Sequence, residues 1–530
     1  IGNNIDMTPT DVVIVGGGMA GLTLALQLRR EKSDLDIVVL ERKTHPLPPA
    51  TPKVGESTVE IGAHYLADVV DLRHHLEQSQ LPKFGLRLFF GDTLADFSHY
   101  DELGSSRLLA VPTYQLDRGI FENYLAQTAL EKGIRFHDNA AVYSLSTDRN
   151  HHIVSIRDGQ MQKRLKTHWL IDAAGRNSLL KPSLGLACDN KHNCDAVWFR
   201  IEGRICIDDW SSSASWRDRC IDLNGKRWLS TNHLMGPGYW VWIIPLASGV
   251  TSVGIVFDQT MHSIDSMRTF DLALKWLEVF QPLCADAVRG RSILDFHFLK
   301  NYSYSCKQVF SKNRWALAGE AGVFLDPFYS PGCDSIAISN TLITDLVVRE
   351  MKGESIHRRS LAYQQIYTSY YDSTLSLYQN QYPGFGDSHL MIIKTVWDYA
   401  YYWGVLSLLF FNRSFTDVDF IIRIGSDLEK ARRYNDKMQT AFLQRAKLAL
   451  HVPPRGIFID QSEIPVLRDF NSNLVTPLTK KSLSETLLNN VITLETVSNY
   501  LINILCSPAK LATGNLEKEL FGDLFERLSV

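Results

Sequence analysis

The sequence predicts an α/β protein that combines a nucleotide-binding parallel sheet, an inserted and mostly antiparallel β-sheet, and a helical C-terminal region. Three observations support this prediction. Residues 11–41 have the strand–turn–helix–strand pattern of a Rossmann-like domain. Alternating apolar and polar runs fill residues 195–258, as they do in antiparallel sheets. Residues 352–530 are predicted to be mostly helical, and their first part is rich in aromatic side chains.

The first strand, turn and helix form a candidate nucleotide site. An apolar run at 12–15 predicts a buried strand, and the pattern Gly-x-Gly-x-x-Gly follows it. The free N–H groups and dipole of the next helix can bind a pyrophosphate, which side chains in place of the glycines would block. A second strand ends in an acid suited to a ribose; the alternative is a glycine-rich structural turn. The predicted contacts are Gly16, Gly18, Met19, Ala20, Gly21, Glu41 and Arg42.

Length, charge and cysteine spacing limit the class of protein. A chain of 530 residues predicts two or three structural regions. The net charge of −3 and the lack of a basic run argue against a nucleic-acid partner. The 8 cysteines form no Cys-x-x-Cys pair and no metal-ligand spacing, so we expect free buried thiols, no metal site and a cytoplasmic location. The apolar stretch 399–411 is shorter than the roughly 20 residues of a membrane span, which favours a buried helix or a pocket wall.

The loop after the second strand and the segment beyond it carry further candidates. Loops at the carboxyl edge of a parallel sheet hold ligands, so the sequence KVGEST at 53–58 is expected near the nucleotide. A helix is predicted over 59–80. Lys83 then lies in an apolar and aromatic setting, where the residues alone favour a surface lysine with a buried stem over a functional one.

Two charged residues mark the return of the chain to the nucleotide site. Asp117 is a candidate helix N-cap, and Arg118 lies in the first turn, where a cation is unfavourable. We therefore expect a phosphate or carboxylate partner for Arg118. After strands over 134–157 and a hairpin turn at Asp158–Gly159, an apolar strand ends in Asp172.

The inserted sheet and the segment after it complete the predicted regions. In the sequence WVWIIP, Trp240 and Trp242 lie two residues apart and therefore on one face of a strand, either as core anchors or as a wall. The chain returns at 315–332 with a short strand, and a helix is predicted from Asp334 or Ser335 to Met351. The predicted regions are a nucleotide-binding part at 1–190, the inserted sheet at 191–300, a return at 301–351 and the helical region at 352–530.

Taken together, the motifs resemble those of a known family. GGGMAG with Glu41, YQLDR with Arg118, IDAAG with Asp172 and GEAGVFLDP with Asp326 resemble the FAD-binding sites of aromatic-hydroxylase-class flavoproteins. KVGEST, the lysine within PKFGLRLFF and the complete W-x-W-x-I-P signature narrow the resemblance to the flavin-dependent halogenases. Within that family, this chain most resembles bacterial halogenases of secondary metabolism that have a helical C-terminal region.

The resemblance implies a cofactor, a halide site and a catalytic lysine. It implies an FAD cofactor, which a separate flavin reductase supplies in its reduced form, FADH2. The enzyme would use FADH2 and O2 to oxidise a halide to hypohalous acid. Pro331 and Gly332 would hold the halide, and Lys83, with Ser330, would deliver electrophilic halogen to an aromatic carbon. Trp240 and Trp242, with Pro245, would separate the flavin from the substrate. Besides the glycine-turn residues, the implied FAD contacts are Lys53, Val54, Gly55, Glu56, Ser57, Arg118, Asp172, Gly319, Asp326 and Gly332.

One departure from the family pattern narrows the substrate. Tryptophan halogenases carry a glutamate where this chain has Tyr329, which disfavours free tryptophan and favours a phenolic, tyrosyl-like or pyrrolic substrate, free or bound to a carrier protein. The alternatives are an FAD-dependent aromatic monooxygenase and a non-catalytic FAD-binding interaction protein. The assembly that we consider for this chain is a homodimer.

Overall fold

A computed structural model describes residues 4–91, 96–158, 161–220, 225–448 and 453–505, with the backbone alone for residues 4–8 and 158. Gly159 of the predicted hairpin turn and Cys506 lie outside the described residues. The strands are β1 Asn4–Val15, β2 Ile37–Leu40, β3 Leu81–Pro82, β4 Leu86–Phe90, β5 Asp101–Gly104, β6 Tyr114–Gln115, β7 Arg135–His137, β8 Ala140–Ser146, β9 His152–Asp158, β10 Met161–Asp172, β11 Ala187–Cys188, β12 Cys194–Glu202, β13 Thr231–Gly236, β14 Tyr239–Pro245, β15 Val250–Asp258, β16 Ile293–Leu299, β17 Ser305–Cys306, β18 Trp315–Leu317 and β19 Phe458–Asp460.

The helices lie between these strands and dominate the C-terminal region. They are α1 Met19–Glu31, α2 Glu60–His64, α3 Arg73–Ser79, α4 Arg118–Glu131, α5 Leu180–Ser183, α6 Ala214–Asp218, α7 Phe270–Phe280, α8 Pro282–Val288, α9 Gly332–Met351, α10 His357–Leu375, α11 Ser388–Tyr401, α12 Leu408–Phe411, α13 Val418–Arg423, α14 Gly425–Lys447, α15 Pro465–Asn473 and α16 Lys480–Leu505. Residues Tyr65–Val69 and Tyr402–Ser407 are π-helical.

The first sheet is the predicted Rossmann-like one. Its strand order is β7-β2-β1-β10-β9-β8, with β18 beside the carboxyl end of β10. Strands β7, β2, β1, β10 and β18 run parallel, and Val15 lies opposite both Leu40 and Asp172. Because these strands end at one edge, the glycine turn, Glu41 and the loops after β10 and β18 meet there, as ligand-binding elements do in open α/β sheets.

The second sheet draws its strands from more of the chain than the predicted insertion. Its order is β16-β12-β15-β14-β13-β4-β5-β19, antiparallel except where β4 pairs with β13 and β19 pairs with β5. Strands β4 and β5 precede the predicted boundary at 191, and β19 follows the one at 352. Strand pairing therefore crosses the predicted boundaries, which came from local sequence patterns that do not register pairing between distant strands.

Alternate residues of β14 face opposite sides, as predicted for its two tryptophans. Trp240 and Trp242 pack into the core shared with the first sheet and the C-terminal helices. Tyr239, Val241 and Ile243 pack into a second core under α7 and α8. The ring of Trp242 lies across β15, where a methyl group on Gly254 would come within 2.2 Å of it.

Local predictions differ from the structure in three places. Helix α9 begins at Gly332 rather than at Asp334 or Ser335. The helix predicted over 59–80 is broken between the π-helical turn and α3. Asp117 occupies the N-cap position of α4, but its carboxylate does not cap the helix, because it accepts a hydrogen bond of 2.8 Å from the Ala50 N–H instead.

The apolar stretch 399–411 is a pocket wall inside the C-terminal helices. It spans the end of α11, the π-helical turn and α12, and Tyr399, Tyr402 and Val405 border a cavity. Among the described helices, none combines the length and the apolarity that crossing a bilayer requires. The described cysteines are free thiols, as expected, but they are not all buried as predicted, because Cys188 is exposed and Cys206 and Cys306 are half-buried.

Candidate active site

The glycine turn between β1 and α1 is built by close backbone contacts. Gly16 has a φ of +109°, and a methyl group there would lie 2.4 Å from the Ala173 carbonyl oxygen. A methyl group on Gly21 would lie 1.9 Å from the Gly16 carbonyl oxygen. The Glu41 carboxylate accepts hydrogen bonds of 2.8 Å from the Gly17 and Lys43 N–H groups, while Arg42 is exposed. The turn can therefore tolerate only glycine at two of its predicted positions.

Two cations and a buried carboxylate lie at the N-terminus of α1. The Arg118 guanidinium donates to Glu122 at 2.5 Å, and the Lys53 ammonium pairs with the same carboxylate. Glu122 also accepts a hydrogen bond of 3.3 Å from the Met19 N–H. Burial alone would raise the pKa of Glu122, but Arg118 and Lys53 hold it below its usual value. The carboxylate partner expected for Arg118 is thus Glu122, which its spacing of four residues on a helix could have indicated.

The loop that contains Val54 and Gly55 is held from helix α4 and from the second sheet. Arg118 donates to the Val54 carbonyl oxygen at 2.5 Å and to that of Gly55 at 3.3 Å. From β12, Arg200 donates to the Glu56 carboxylate at 2.9 Å and to the Lys53 carbonyl oxygen at 2.7 Å. Burial raises the pKa of Glu56 even though Arg200 opposes that shift. Arg200 was not predicted, because nothing local marks a strand arginine as a loop anchor.

A cavity between the two sheets, here called the inter-sheet cavity, brings ten of the predicted site residues together. Gly332 lies at its wall with a nonpositive φ, and a methyl group there would meet no atom within 4 Å, so the backbone faces open space. The cavity is lined by Val54, Gly55, Glu56, Ser57, Thr231, His233, Trp240, Trp242, Ile244, Glu320, Val323, Phe324, Leu325, Asp326, Pro327, Ser330, Pro331, Gly332 and Ser335.

The acid at the end of β10 uses its acceptors inside the protein. Asp172 is fully buried and accepts hydrogen bonds of 2.8 Å from the Leu179 and Leu180 N–H groups. The Ser178 hydroxyl and the Ala174 N–H complete its partners. Asp172 therefore shapes the turn beside the glycine loop.

Asp326 is likewise held by a buried cluster. Its carboxylate accepts hydrogen bonds from the hydroxyls of Tyr302 at 2.6 Å and Tyr382 at 2.7 Å, and lies 2.6 Å from the His192 ring nitrogen. Together with Cys194, His192 and Asp326 bring three potential metal ligands within 4.8 Å, although the His192–Asp326 separation is that of a hydrogen bond.

Glu320 is an acid at the cavity that the sequence analysis missed. It follows Gly319, whose φ is +55°, in the turn after β18, and its carboxylate lies 3.8 Å from the Arg176 guanidinium. Its side chain is 29% exposed and borders the inter-sheet cavity. The signal was available, because the same edge-of-sheet rule that indicated Glu41 applies to Glu320.

Lys83 is buried, so the interpretation as a surface lysine is wrong. The residue is 2% exposed, and its ammonium donates to the Thr58 carbonyl oxygen at 2.6 Å and to the Ser57 hydroxyl at 2.8 Å. Burial lowers the pKa of Lys83 to about 7, although the nearby charges of Glu60 and Asp334 act to raise it. One carboxylate oxygen of Glu60 is buried without a hydrogen-bond partner among the described residues.

A second cavity, here called the helical cavity, lies among the C-terminal helices and has a volume of about 500 Å³. Pro331 lines both cavities. Ser57 lines the inter-sheet cavity, whereas Val59 lines the helical cavity. The Lys83 ammonium binds Ser57 and the carbonyl group of Thr58, so it contacts the segment between the two cavities, although Lys83 itself lines neither of them and borders a third cavity.

The segment between the cavities has an unusual backbone. Tyr329 and Ser330 both have left-handed conformations, with φ of 66° and 56°. Non-glycine residues adopt this region at a cost of roughly 1–3 kcal/mol each and commonly do so at functional sites. Tyr329 faces the helical cavity, while Ser330 faces the inter-sheet cavity. The two residues thus form part of a partition.

The paired tryptophans form a rigid wall of the inter-sheet cavity. Their ring centroids are 5.8 Å apart, and both residues are buried. The Trp240 indole N–H donates to the Tyr382 hydroxyl at 2.9 Å, and that of Trp242 donates to the Ser252 hydroxyl at 3.1 Å. Pro245 is buried at the end of β14. Satisfied N–H groups leave the rings to act as apolar surface.

The glycine turn at a parallel-sheet edge and the cavity beside it define a nucleotide-binding flavoprotein. In agreement, the FAD binding domain family matches residues 9–228. A flavin-dependent halogenase, chlA, of Dictyostelium discoideum is 26% identical over 432 residues, covering 75% of this chain and 70% of that protein. A 1H-pyrrole-2-carbonyl-[peptidyl-carrier protein] chlorinase of Pseudomonas fluorescens is 23% identical over 376 residues, covering 67% of this chain and 79% of that protein.

Solved structures agree with the fold. The crystal structure of halogenase PltM has a TM-score of 0.66 at 18% identity and covers 92% of this chain and 96% of its own. That of CmlS, a flavin-dependent halogenase, has a TM-score of 0.58 at 19% identity and covers 91% of this chain and 76% of its own. The resemblance to the flavin-dependent halogenases is therefore confirmed by the curated relatives, and the chain is an enzyme.

The residues present fit FAD, which is the cofactor of this class. Gly16 and Gly21 leave no room for side chains at the turn, and the Met19 N–H begins a helix suited to a pyrophosphate. Arg118 and Lys53 add positive charge there. At the wall of the inter-sheet cavity, Gly332 leaves the open space that bound FAD would need.

Proposed function

We propose that this enzyme uses reduced FAD, O2 and a halide to make hypohalous acid in the inter-sheet cavity, and that Lys83 directs the halogen to an electron-rich aromatic substrate in the helical cavity. The observation that carries this proposal is the position of the Lys83 ammonium, hydrogen-bonded to Ser57 and Thr58 between two cavities that share Pro331. A monooxygenase would need no buried lysine at that point.

The roles of the chain's own residues follow from their positions. Bound FAD, once reduced, supplies the reaction with O2 that oxidises the halide. The backbone at Pro331 and Gly332 is proposed to hold the halide, with Ser330 beside it, because all three residues line the inter-sheet cavity. Trp240 and Trp242 are proposed to keep the aromatic substrate away from the flavin. The remaining predicted contacts, among them Asp172 and Asp326, are proposed to shape the cofactor loops.

Lys83 is proposed to act as both proton donor and proton acceptor. Its ammonium donates a hydrogen bond to the oxygen of hypohalous acid. When an aromatic carbon attacks the halogen, the departing hydroxide takes the lysine proton and leaves as water. The neutral amine then accepts the proton from the halogenated ring carbon. A pKa of about 7 suits both steps, because neither form of the amine is strongly disfavoured near neutral pH.

The substrate is proposed to be phenolic, tyrosyl-like or pyrrolic. Tyr329 borders the helical cavity where a glutamate would favour an indole, so the ring must carry its own activating group. Some relatives act on pyrrole-2-carbonyl groups attached to a peptidyl-carrier protein, which makes a carrier-bound substrate the second candidate. A separate flavin reductase is the proposed partner, because the sequence has one recognisable dinucleotide-binding glycine pattern.

Mass spectrometry of products tests the proposal. The purified protein is supplied with FAD, a flavin reductase, NADH, oxygen and either chloride or bromide, and is offered monochlorodimedone and a panel of phenols. We expect halogen isotope patterns with the wild-type protein and Lys307→Met, and none with Lys83→Met. Lys307 is an exposed lysine that lines neither cavity. A product heavier by one oxygen, independent of halide and of Lys83, would instead establish a monooxygenase.

A further inference from the structure

The helical cavity contains a tyrosine–aspartate pair that the proposed chemistry has not used. The Tyr329 hydroxyl donates to the Asp398 carboxylate at 2.9 Å, and both residues border the cavity. The next neighbour of the Tyr329 hydroxyl is the Thr395 hydroxyl, at 3.4 Å. A phenolic oxygen that donates one hydrogen bond still has acceptor capacity, so Tyr329 can receive a hydrogen bond from a ligand.

The Asp398 carboxylate is held in place by buried partners. The Lys394 ammonium lies 2.9 Å from it, and the Gln439 amide donates to its other oxygen at 2.8 Å. Lys394 also donates to the Gln439 side-chain oxygen at 2.6 Å. Lys394 is 1% exposed and Asp398 4% exposed, so the ion pair is shielded from water. Asp398 is therefore fixed in position behind Tyr329.

The backbone directs Tyr329 toward this pair. Its φ of 66° and that of Ser330, 56°, are left-handed, and the two side chains line different cavities. Tyr329 thus connects the segment that precedes Pro331 to Asp398 on α11. An arrangement that holds two adjacent residues in a disfavoured conformation is expected where position matters for function.

We propose that Tyr329 and Asp398 form a receptor for a hydroxyl group of the substrate, and that the substrate is an uncharged arene bearing a free phenolic hydroxyl. The inference rests on the proposed function and deepens it. The substrate O–H donates to the Tyr329 oxygen, which donates to Asp398. This chain of hydrogen bonds increases the electron density on the ring and so favours attack on an electrophilic halogen.

The hydrogen-bonded series of substrate hydroxyl, Tyr329 and Asp398 also provides an acceptor for the phenolic proton. As the ring carbon bonds to the halogen of hypohalous acid, the phenolic O–H becomes strongly acidic, and its proton passes to Tyr329 while the Tyr329 proton passes to Asp398. A halogenated dienone results, and the hydroxide released by the halogen leaves as water with the Lys83 proton. Transfer of the ring proton to Lys83 and return of a proton from Asp398 to the oxygen restore the aromatic phenol and both residues.

The charges around the cavity select against an anionic substrate. Asp398 and Glu429 line it, and the nearby cations are already paired, Lys394 with Asp398 and the lining Arg432 with Glu429. A carboxylate on the substrate would therefore meet like charges at short range. A neutral phenol meets an acceptor and aromatic walls instead.

A matched pair of ligands tests the receptor without turnover. Binding of resorcinol and of 1,3-dimethoxybenzene to the protein loaded with oxidised FAD is measured by calorimetry. Because 1,3-dimethoxybenzene has no O–H to donate to the Tyr329 oxygen, we expect resorcinol to bind about tenfold more tightly. Tyr329→Phe and Asp398→Asn should each reduce that preference to below about threefold, since each removes one part of the receptor.

The control is a similar pair outside the cavity. The Tyr363 hydroxyl donates to Asp345 near the start of α10, and neither residue lines the helical cavity. Tyr363→Phe should keep the wild-type ratio of affinities. Thermal unfolding checks each variant, and Tyr329→Phe, which leaves the Asp398–Lys394 pair intact, serves if Asp398→Asn does not fold.

Several outcomes would overturn the receptor. These are equal binding of the two ligands to the wild-type protein, an unchanged ratio in Tyr329→Phe, and binding of 3-hydroxybenzoate as tight as that of resorcinol. Failure of the proposed function has a different signature, because a protein that halogenates no acceptor can still show the affinity ratio. Conversely, monochlorodimedone halogenated in a Lys83-dependent manner with no phenol preference would refute the receptor alone.

Discussion

At the residue scale, burial decides the chemistry of Lys83. An exposed lysine is almost fully charged near neutral pH, whereas burial lowers the pKa of Lys83 to about 7. Glu60 and Asp334 counter this shift, because negative charges nearby favour the ammonium form. The pKa of Asp334 is raised to about 7 for the same reason, burial. Lys83 is therefore both a donor and an acceptor at the pH where an enzyme works.

The pKa of Lys83 can be measured directly. We expect its acetylation by acetic anhydride, followed by peptide mass spectrometry across pH, to show a midpoint near 7. Glu60→Gln should lower that midpoint by about 1 pH unit, because it removes a charge that favours the ammonium. Exposed Lys307 in the same digest is the reference for reagent reactivity. A Lys83 midpoint near 10 in the wild-type protein would contradict the effect of burial.

At the element scale, two glycines at helix starts have different tasks. Gly21, in the first turn of α1, touches the Gly16 carbonyl oxygen so closely that no side chain fits. Gly332, at the first position of α9, faces the open inter-sheet cavity. The first glycine is required by the backbone itself, whereas the second keeps space for a ligand. We therefore expect Gly21 to be needed for folding and Gly332 for ligand binding.

Alanine at each position should distinguish these tasks. Gly21→Ala places a methyl group 1.9 Å from a backbone oxygen, so we expect a lower melting temperature, by the equivalent of roughly 1–3 kcal/mol or more, and loss of FAD. Gly332→Ala should melt within a few degrees of the wild type and yet bind FAD or halide more weakly. Differential scanning fluorimetry and FAD titration measure both. Unchanged ligand binding in Gly332→Ala would contradict the role of the open space.

At the scale of the whole molecule, a buried ion cluster joins distant parts of the second sheet. Glu102 on β5 accepts hydrogen bonds from Arg87 on β4 at 2.5 Å, Arg227 at 2.9 Å and Arg219 at 2.7 Å. Arg219 also donates to the Gly456 carbonyl oxygen at 2.7 Å, beside β19. Burial would raise the pKa of Glu102, but the three arginines lower it to about 2. The cluster thus ties the C-terminal region to the sheet.

Removal of the Glu102 charge should destabilise the protein in a pH-dependent way. Because the folded-state pKa is below the unfolded value, the carboxylate stabilises the fold above about pH 4.5, and this contribution is lost as the pH falls toward 2. We expect Glu102→Gln to reduce the free energy of unfolding by about 3 kcal/mol or more at pH 7, and by less at pH 3. Urea unfolding at both pH values measures this difference.

The control for this prediction is an exposed ion pair. Glu463 pairs with Arg107 at the surface, with side chains 48% and 52% exposed. Glu463→Gln should change the free energy of unfolding by less than about 1 kcal/mol, because water screens the pair. Equal effects of the two substitutions would show that burial does not set the strength of the cluster.

The parts of the site that could be predicted are local in sequence. The glycine turn and Glu41 belong to one strand–helix–strand unit, Arg118 lies in the first turn of α4, and the two tryptophans share a face because strand residues alternate. Glu320 was not predicted, although it also follows the carboxyl end of a parallel strand, where ligand-binding residues are expected. The burial of Lys83 was not visible in its neighbours, because the Ser57 and Thr58 that bind it lie about 25 residues earlier.

The sequence by itself determined the class of cofactor, the edge of the sheet at which it binds, and a lysine whose role the family resemblance suggested. Only the tertiary structure decided that the Lys83 ammonium is buried against Ser57 and Thr58, that Asp398 and Lys394 lie behind Tyr329, and that strands from three regions share one sheet. The physical reason is the distance along the chain between the residues that specify each feature. Turns and helix starts are specified by a few adjacent residues, whereas burial, ion pairing and strand order depend on segments that the chain brings together from far apart.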